Sequence, residues 1–253
     1  MDTVAAVCGL LGLLLGPLLG VIVDRAAERT TLRPEHRCPH CAHGWGWRSL
    51  LPTVDWRGRC RRCDRGKGLR YPLVDLGTAA VFAGLGWRFG LDWRLAPYLA
   101  LAAVLVVLSA IDVETHLLPN VIVWPSIGAG LFTVLVLSGE LGYHEGVFPA
   151  LVGASVFGLF TGTTHLLHEP AMGFGDVKLS LLLGLFVGWL HPGLLTATRL
   201  VLFALFLAML GGGLIGLVIN LVRRRREEIP FGPALAAASF VVIVASPVLQ
   251  RTS

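Results

Sequence analysis

Gly173-Phe174-Gly175-Asp176-Val177-Lys178 places a carboxylate and a lysine between two long apolar runs, 147–167 and 177–190. A charge at or near membrane depth is costly, so an ionisable residue there is a functional candidate by default. The glycines carry no Cβ, which permits close backbone approach at the junction and leaves room around Asp176 for chain and substrate backbone. A second carboxylate, Asp112, stands in a similar place at the end of the run 95–111. Whether these two aspartates meet is the question the rest of the chain must answer.

Composition sets the class. Of 253 residues, 55% are hydrophobic and 15% charged, and the mean hydropathy is +0.72. Apolar runs recur at 4–23, 73–87, 95–111, 121–137, 147–167, 177–190, 200–222 and 231–249. A bilayer core of ~30 Å asks for roughly 20 helical residues, with about 17 tolerated. The pattern predicts an all-α polytopic membrane protein of about eight transmembrane helices, with the second and sixth runs short. The first run lacks a basic segment before it and has basic residues after it, so it reads as a retained span rather than a signal peptide.

The net charge of +5 does not point to nucleic acid, because the basic residues are clustered beside apolar spans. Most lie between Arg25 and Arg70, and Arg223, Arg224, Arg225 and Arg226 form a second group. The positive-inside rule puts 24–71 in the cytoplasm and the N-terminus outside. Alternating from there, 112–120, 168–176 and 223–230 all fall inside, and the second basic group agrees without having been used to set the orientation. Asp112 and Asp176 are then predicted at the same, cytoplasmic, membrane boundary. Membrane lipid is a partner by the same logic. The divisions are a first transmembrane helix, 1–23, a cytoplasmic loop, 24–71, and a membrane core, 72–253.

Within the loop, Cys38-Pro39-His40-Cys41 and Cys60-Arg61-Arg62-Cys63 are two Cys-x-x-Cys knuckles eighteen residues apart. Four thiolates at this spacing suit a tetrahedral, structural zinc ion held by Cys38, Cys41, Cys60 and Cys63, with no open position for water. Two disulfides or four free thiols are the other readings, and a reducing cytoplasm disfavours the disulfides. Such a small loop would draw its folding energy from the metal. Cys8, inside the first run, is an apolar packing residue.

Two carboxylates within a few ångströms cannot easily both ionise and share a proton. The charged member can act as general base on a water while the protonated one polarises a scissile carbonyl. The same acids are also compatible with interfacial residues snorkelling to water, or with a transporter's proton relay. Lys178 is two residues from Asp176 and so off its helix face; it is predicted to reach the headgroup zone or a substrate. Glu114 and His116 are explained by a solvated turn. Pro119-Asn120 starts the following helix.

At this point the chain resembles the type IV prepilin leader peptidases, aspartic membrane proteases of the GxGD kind. The resemblance spans nearly the whole sequence. It is carried by the double Cys-x-x-Cys loop, Arg70-Tyr71-Pro72-Leu73-Val74-Asp75, Ile111-Asp112 with Leu117-Leu118-Pro119-Asn120, Gly173-Phe174-Gly175-Asp176-Val177-Lys178-Leu179, and Ile229-Pro230-Phe231-Gly232-Pro233. It implies that Asp112 and Asp176 are the catalytic pair, supported by Gly173, Gly175 and Lys178 in the loop, with 72–253 as the peptidase core. The implied reaction removes the basic leader of a prepilin or pseudopilin at the cytoplasmic face. Many members with the cysteine loop also methylate the new N-terminal amine from S-adenosylmethionine. The chain departs from the family pattern at Asn120, where an acid commonly follows the proline. It departs also at 20–25, without the usual asparagine before the arginine, and at Ser49-Leu50-Leu51-Pro52 in the cysteine loop. Glu114, Glu227 and Glu228 are candidates for steering a basic leader by opposite charge. The competing class is a transporter or metal-handling membrane protein, which would hold its acids deep within spans.

Overall fold

The structure, a computed structural model, describes residues 2–29, 70–140, 142–167, 173–223 and 231–251. Eight α-helices and a short 3-10 turn, His144–Gly146, make up the described residues. The helices are α1 Asp2–Arg29, α2 Arg70–Phe89, α3 Leu95–Thr115, α4 Asn120–Glu140, α5 Val147–Leu167, α6 Phe174–Gly188, α7 Leu194–Arg223 and α8 Gly232–Arg251. Five stretches are long and apolar enough to cross a membrane: Asp2–Gly20, Leu95–Thr115, Asn120–Glu140, His144–Leu167 and Leu194–Leu217. The chain is therefore an all-α, multi-span membrane protein with five clear spans, where the sequence predicts about eight. Two of the other helices have physical reasons to fall short. α2 carries Arg70, Asp75 and Arg88. α6 has 15 residues, about 22 Å at 1.5 Å per residue. In α8 the stretch Gly232–Ser246 is apolar. The cysteine loop lies outside the described residues, and among those that are described no cluster of metal-ligating side chains occurs.

The chain forms two compact units, Met1–Ile111 and Asp112–Ser253. In the first, α1 and α2 pack as a hairpin along small residues, the usual way membrane helices bring their backbones together. A Cβ on Gly12 would lie 2.7 Å from Thr78 O, and one on Gly16 would lie 2.6 Å from Asp75 Oδ1. Cys8 is buried and free, wedged against Gly86, in the packing role expected of it. The Phe89 and Tyr98 rings stack at 4.7 Å across the α2–α3 connection.

In the second unit α6 is the central element, touching α4, α5, α7 and α8. Its residues 182–188 are buried without a break, so it shows no amphipathic period to read; a helix apolar on all sides is one packed on all sides. Two polar contacts fix its rotation: Thr161 and Ser180 hydroxyls meet at 2.6 Å, and Trp189 Nε1 donates to Ser138 Oγ at 2.9 Å. The rest of its position comes from small residues against α5, where Gly153, Gly184 and Gly188 let the backbones touch. This packing holds the N-terminal turn of α6, and with it Asp176, at one end of the unit.

Candidate active site

α3 stays apolar through Ile111 and then meets Asp112-Val113-Glu114-Thr115-His116, where solvation of side chains and backbone ends the helix. His116 adopts φ 52° and its N–H bonds Asp112 O at 2.9 Å. A left-handed residue just past the last turn is a common way to satisfy a helix's final carbonyls. The chain then reverses, and Pro119 O accepts the amides of Ile122 and Val123 to start α4. Asp112 is thereby left in the last turn of α3, 5% exposed.

Asp176 comes from the opposite kind of helix end. Gly173 is extended, at φ −70° and ψ 149°, and precedes α6 without a side-chain cap. The amide of Asp176 bonds Gly173 O at 3.0 Å, which sets Asp176 in the first turn, 7% exposed. α8 supplies the third part. The Gly232 N–H donates to Asp112 Oδ2 at 3.1 Å, and Phe231 beside it fills the notch left by Gly212 of α7.

The Cα of Gly232 faces both carboxyls. A Cβ built there would lie 2.7 Å from Asp112 Oδ2 and 3.5 Å from Asp176 Oδ1. Those two oxygens are therefore no further apart than the sum of these distances, a span of the order that one bridging water covers. The two aspartates predicted at one membrane boundary do meet. No lysine or arginine among the described residues forms an ion pair with either one. Buried acids in a structural role are normally paired, so a structural ion pair does not account for them.

The supporting residues divide. Gly173 is exposed and would accept a side chain without a clash, its Cβ in ordinary contact 3.8 Å from Asp176 Oδ2. Gly175 would not, because Leu118 packs on it, 2.9 Å from where its Cβ would be. The space expected for a substrate at Gly175 is taken by the chain itself. Lys178 is held by the chain as well. It is 8% exposed, and its Nζ donates to Asn120 Oδ1 at 2.7 Å beneath the Phe174 ring, 4.4 Å from its centre. It packs on the α4 side of α6 and makes no ion pair with Asp176. Glu114 is exposed on the last turn of α3. Cys38, Cys41, Cys60, Cys63, Glu227 and Glu228 lie outside the described residues. The sequence pattern alone gives Gly232 no role at the acids and Asn120 none beyond a helix start. The glycine between an aromatic and a proline at a helix start was the signal available for the first.

Comparison with known proteins agrees with this arrangement. The family described as Bacterial Peptidase A24 N-terminal domain matches residues 10–89, and the Type IV leader peptidase family matches residues 99–218. A prepilin leader peptidase/N-methyltransferase of Pseudomonas aeruginosa is 32% identical over 96% of this chain and 91% of its own length. Proteins of the same name from Stutzerimonas stutzeri and Aeromonas hydrophila are 30% and 33% identical, over 92% and 83% of this chain and 88% and 71% of their own. No solved structure matches. The chain is thus, by class, a membrane peptidase of the aspartic type. It belongs to the type IV leader peptidase family.

Proposed function

We propose that this enzyme removes the basic leader of a type IV prepilin or pseudopilin at the cytoplasmic face, with Asp112 and Asp176 activating water. The observation that carries the reading is the pair of buried carboxyls converging on Gly232. One carboxylate takes a proton from water as it attacks the scissile carbonyl, and the protonated partner donates a hydrogen bond to the developing oxyanion. Proton transfer then passes to the leaving amine, with no acyl-enzyme. In this reading a substrate backbone reaches Asp176 past the exposed Gly173. The acids stand at helix ends rather than mid-helix, which favours a peptidase over a transporter relay. In this reading α2, α6 and α8 join the five clear spans to make eight, the N-terminus is outside, and both aspartates face the cytoplasm.

Asp112→Asn and Asp176→Asn, each assayed for leader removal from a co-expressed prepilin, are expected to slow cleavage by ~10²–10⁴-fold, the usual worth of a general acid or base. Full processing by either variant would remove the pair from the mechanism.

The amino-terminal half is proposed to fold around one structural zinc on Cys38, Cys41, Cys60 and Cys63, and to take part in methylating the new pilin amine from S-adenosylmethionine. The names of the matching relatives, with their coverage of that half, favour this second activity. One preparation tests both. Metal analysis is expected to find zinc equimolar with protein and lost on Cys→Ser at any of the four positions. Labelled S-adenosylmethionine is expected to mark a mature pilin. Intact cleavage with no label would leave a peptidase alone.

A further inference from the structure

Lys178 is a buried cation that the proposed reaction does not use. A buried, isolated ammonium is costly, and three groups of the same unit compensate it. Asn120 Oδ1 accepts its hydrogen bond at 2.7 Å. The rings of Phe174 and Trp124 face it at 4.4 Å and 5.7 Å, distances at which an aromatic face attracts a cation. Phe174 opens α6, whereas Asn120 and Trp124 lie in the first turns of α4. Lys178 therefore ties the start of α6 to the start of α4.

That tie bears on the distance between the aspartates. The segment 113–119 runs from Asp112 to Asn120, and α6 holds it at two points. Leu118 lies in the notch of Gly175, and Asn120 is bound by Lys178 one helical turn away from it. Gly175 and Lys178 flank Asp176 in sequence. The same short piece of α6 thus carries one aspartate and grips the segment that leads back to the other. We propose that Lys178 and Asn120 are a positioning pair, which sets Asp176 opposite Asp112 without touching substrate. The amide oxygen of Asn120 serves as a neutral acceptor. This inference rests on the peptidase reading above.

Kinetics of leader removal by the purified full-length chain in detergent, with a prepilin as substrate, test it. Lys178→Met keeps the stem and removes the donor; Asn120→Leu removes the acceptor. Each is expected to lower kcat by ~10- to 100-fold, the order of loss that misplacement by about an ångström produces, with KM little changed. The double variant is expected to be no slower than the worse single one. Asn120→Asp, which keeps an acceptor, and Lys178→Arg, which keeps a donor, are expected to retain most of the rate. Multiplied losses in the double variant, a raised KM at unchanged kcat, or a wild-type rate in Asn120→Leu would overturn the pairing. Where the thermal unfolding midpoint shows that Lys178→Met or Asn120→Leu has not folded, Asn120→Asp decides: retained rate supports the tie, and a loss beyond tenfold refutes it. Wild-type rates in Asp112→Asn and Asp176→Asn would sink the peptidase reading itself. Dead aspartate variants beside fast Lys178 and Asn120 variants would sink only this inference.

Discussion

Gly232→Ala is expected to cut leader removal by ~10²-fold or more in a protein that still folds. The added methyl would stand 2.7 Å from Asp112 Oδ2, 3.3 Å from its Cγ and 3.5 Å from Asp176 Oδ1. The first of these is well inside van der Waals contact, which for carbon pairs is ~3.5–4.0 Å. The carboxyl of Asp112 would have to rotate away, or the start of α8 would have to retreat. Either movement lengthens the 3.1 Å bond from Gly232 N–H and places carbon where a bridging water belongs. The global cost is small, because only one side chain at a helix end must yield. Gly128→Ala in α4 is the matched control. Its Cβ meets nothing within 4 Å, so alanine there is expected to leave cleavage unchanged and to stabilise the helix by up to ~1 kcal/mol. Rates from purified protein, beside thermal unfolding midpoints, separate a blocked site from a damaged fold. An active Gly232→Ala enzyme would mean that α8 does not abut the working pair.

The two acids were legible in the sequence because each interrupts an apolar run at its end. Charge bias in the loops then predicts both on one side of the membrane. Helix starts at Asn120 and near Gly232 were legible from Pro119 and from Phe231-Gly232-Pro233. What the sequence did not show is tertiary. Gly232 meets Asp112 across 120 positions, and Lys178 meets Asn120 across 58; no local period links such residues. Spacing puts Asp176 off the helix face of Lys178, and a long cation near a membrane boundary ordinarily snorkels to water. The Phe174 ring lies one helical turn back on the same helix, but the acceptor on α4 is brought to Lys178 only by packing. The shortness of the sixth run was visible, but its meaning was not. α6 is short, and it is buried without a break over 182–188 because it is enclosed by its neighbours; its contacts with α5 there are between backbones.

Gly184→Val is expected to destabilise the carboxyl-terminal unit more than any change at the aspartates. A Cβ at Gly184 would meet the carbonyl oxygen of Gly153, and would lie 2.8 Å from both Gly153 C and Phe157 Cβ. The contact is reciprocal, since a Cβ on Gly153 would lie 2.5 Å from Gly184 O and 3.0 Å from Gly188 Cα. Gly188 repeats it one turn on, 2.5 Å from Pro149 O. Backbone atoms cannot swing aside as a side chain can, so α5 and α6 must separate along their length. Two effects oppose each other in the milder Gly184→Ala. Helix propensity favours alanine by ~1 kcal/mol, and overpacking costs ~1–3 kcal/mol. The clash is with main chain, so the loss prevails, and the unfolding midpoint in detergent is expected to fall for alanine and further for valine. Ser180→Ala gives the contrast. Thr161 Oγ1 keeps acceptors in Phe157 O at 3.0 Å and Gly158 O at 3.2 Å, so losing the serine hydroxyl leaves no buried donor unpaired and costs about 1 kcal/mol. Because α6 carries Asp176 on its first turn, cleavage is expected to fall in step with the midpoint across the Gly184 series. A Gly184→Val protein with an unchanged midpoint would show that α5 and α6 are not in backbone contact.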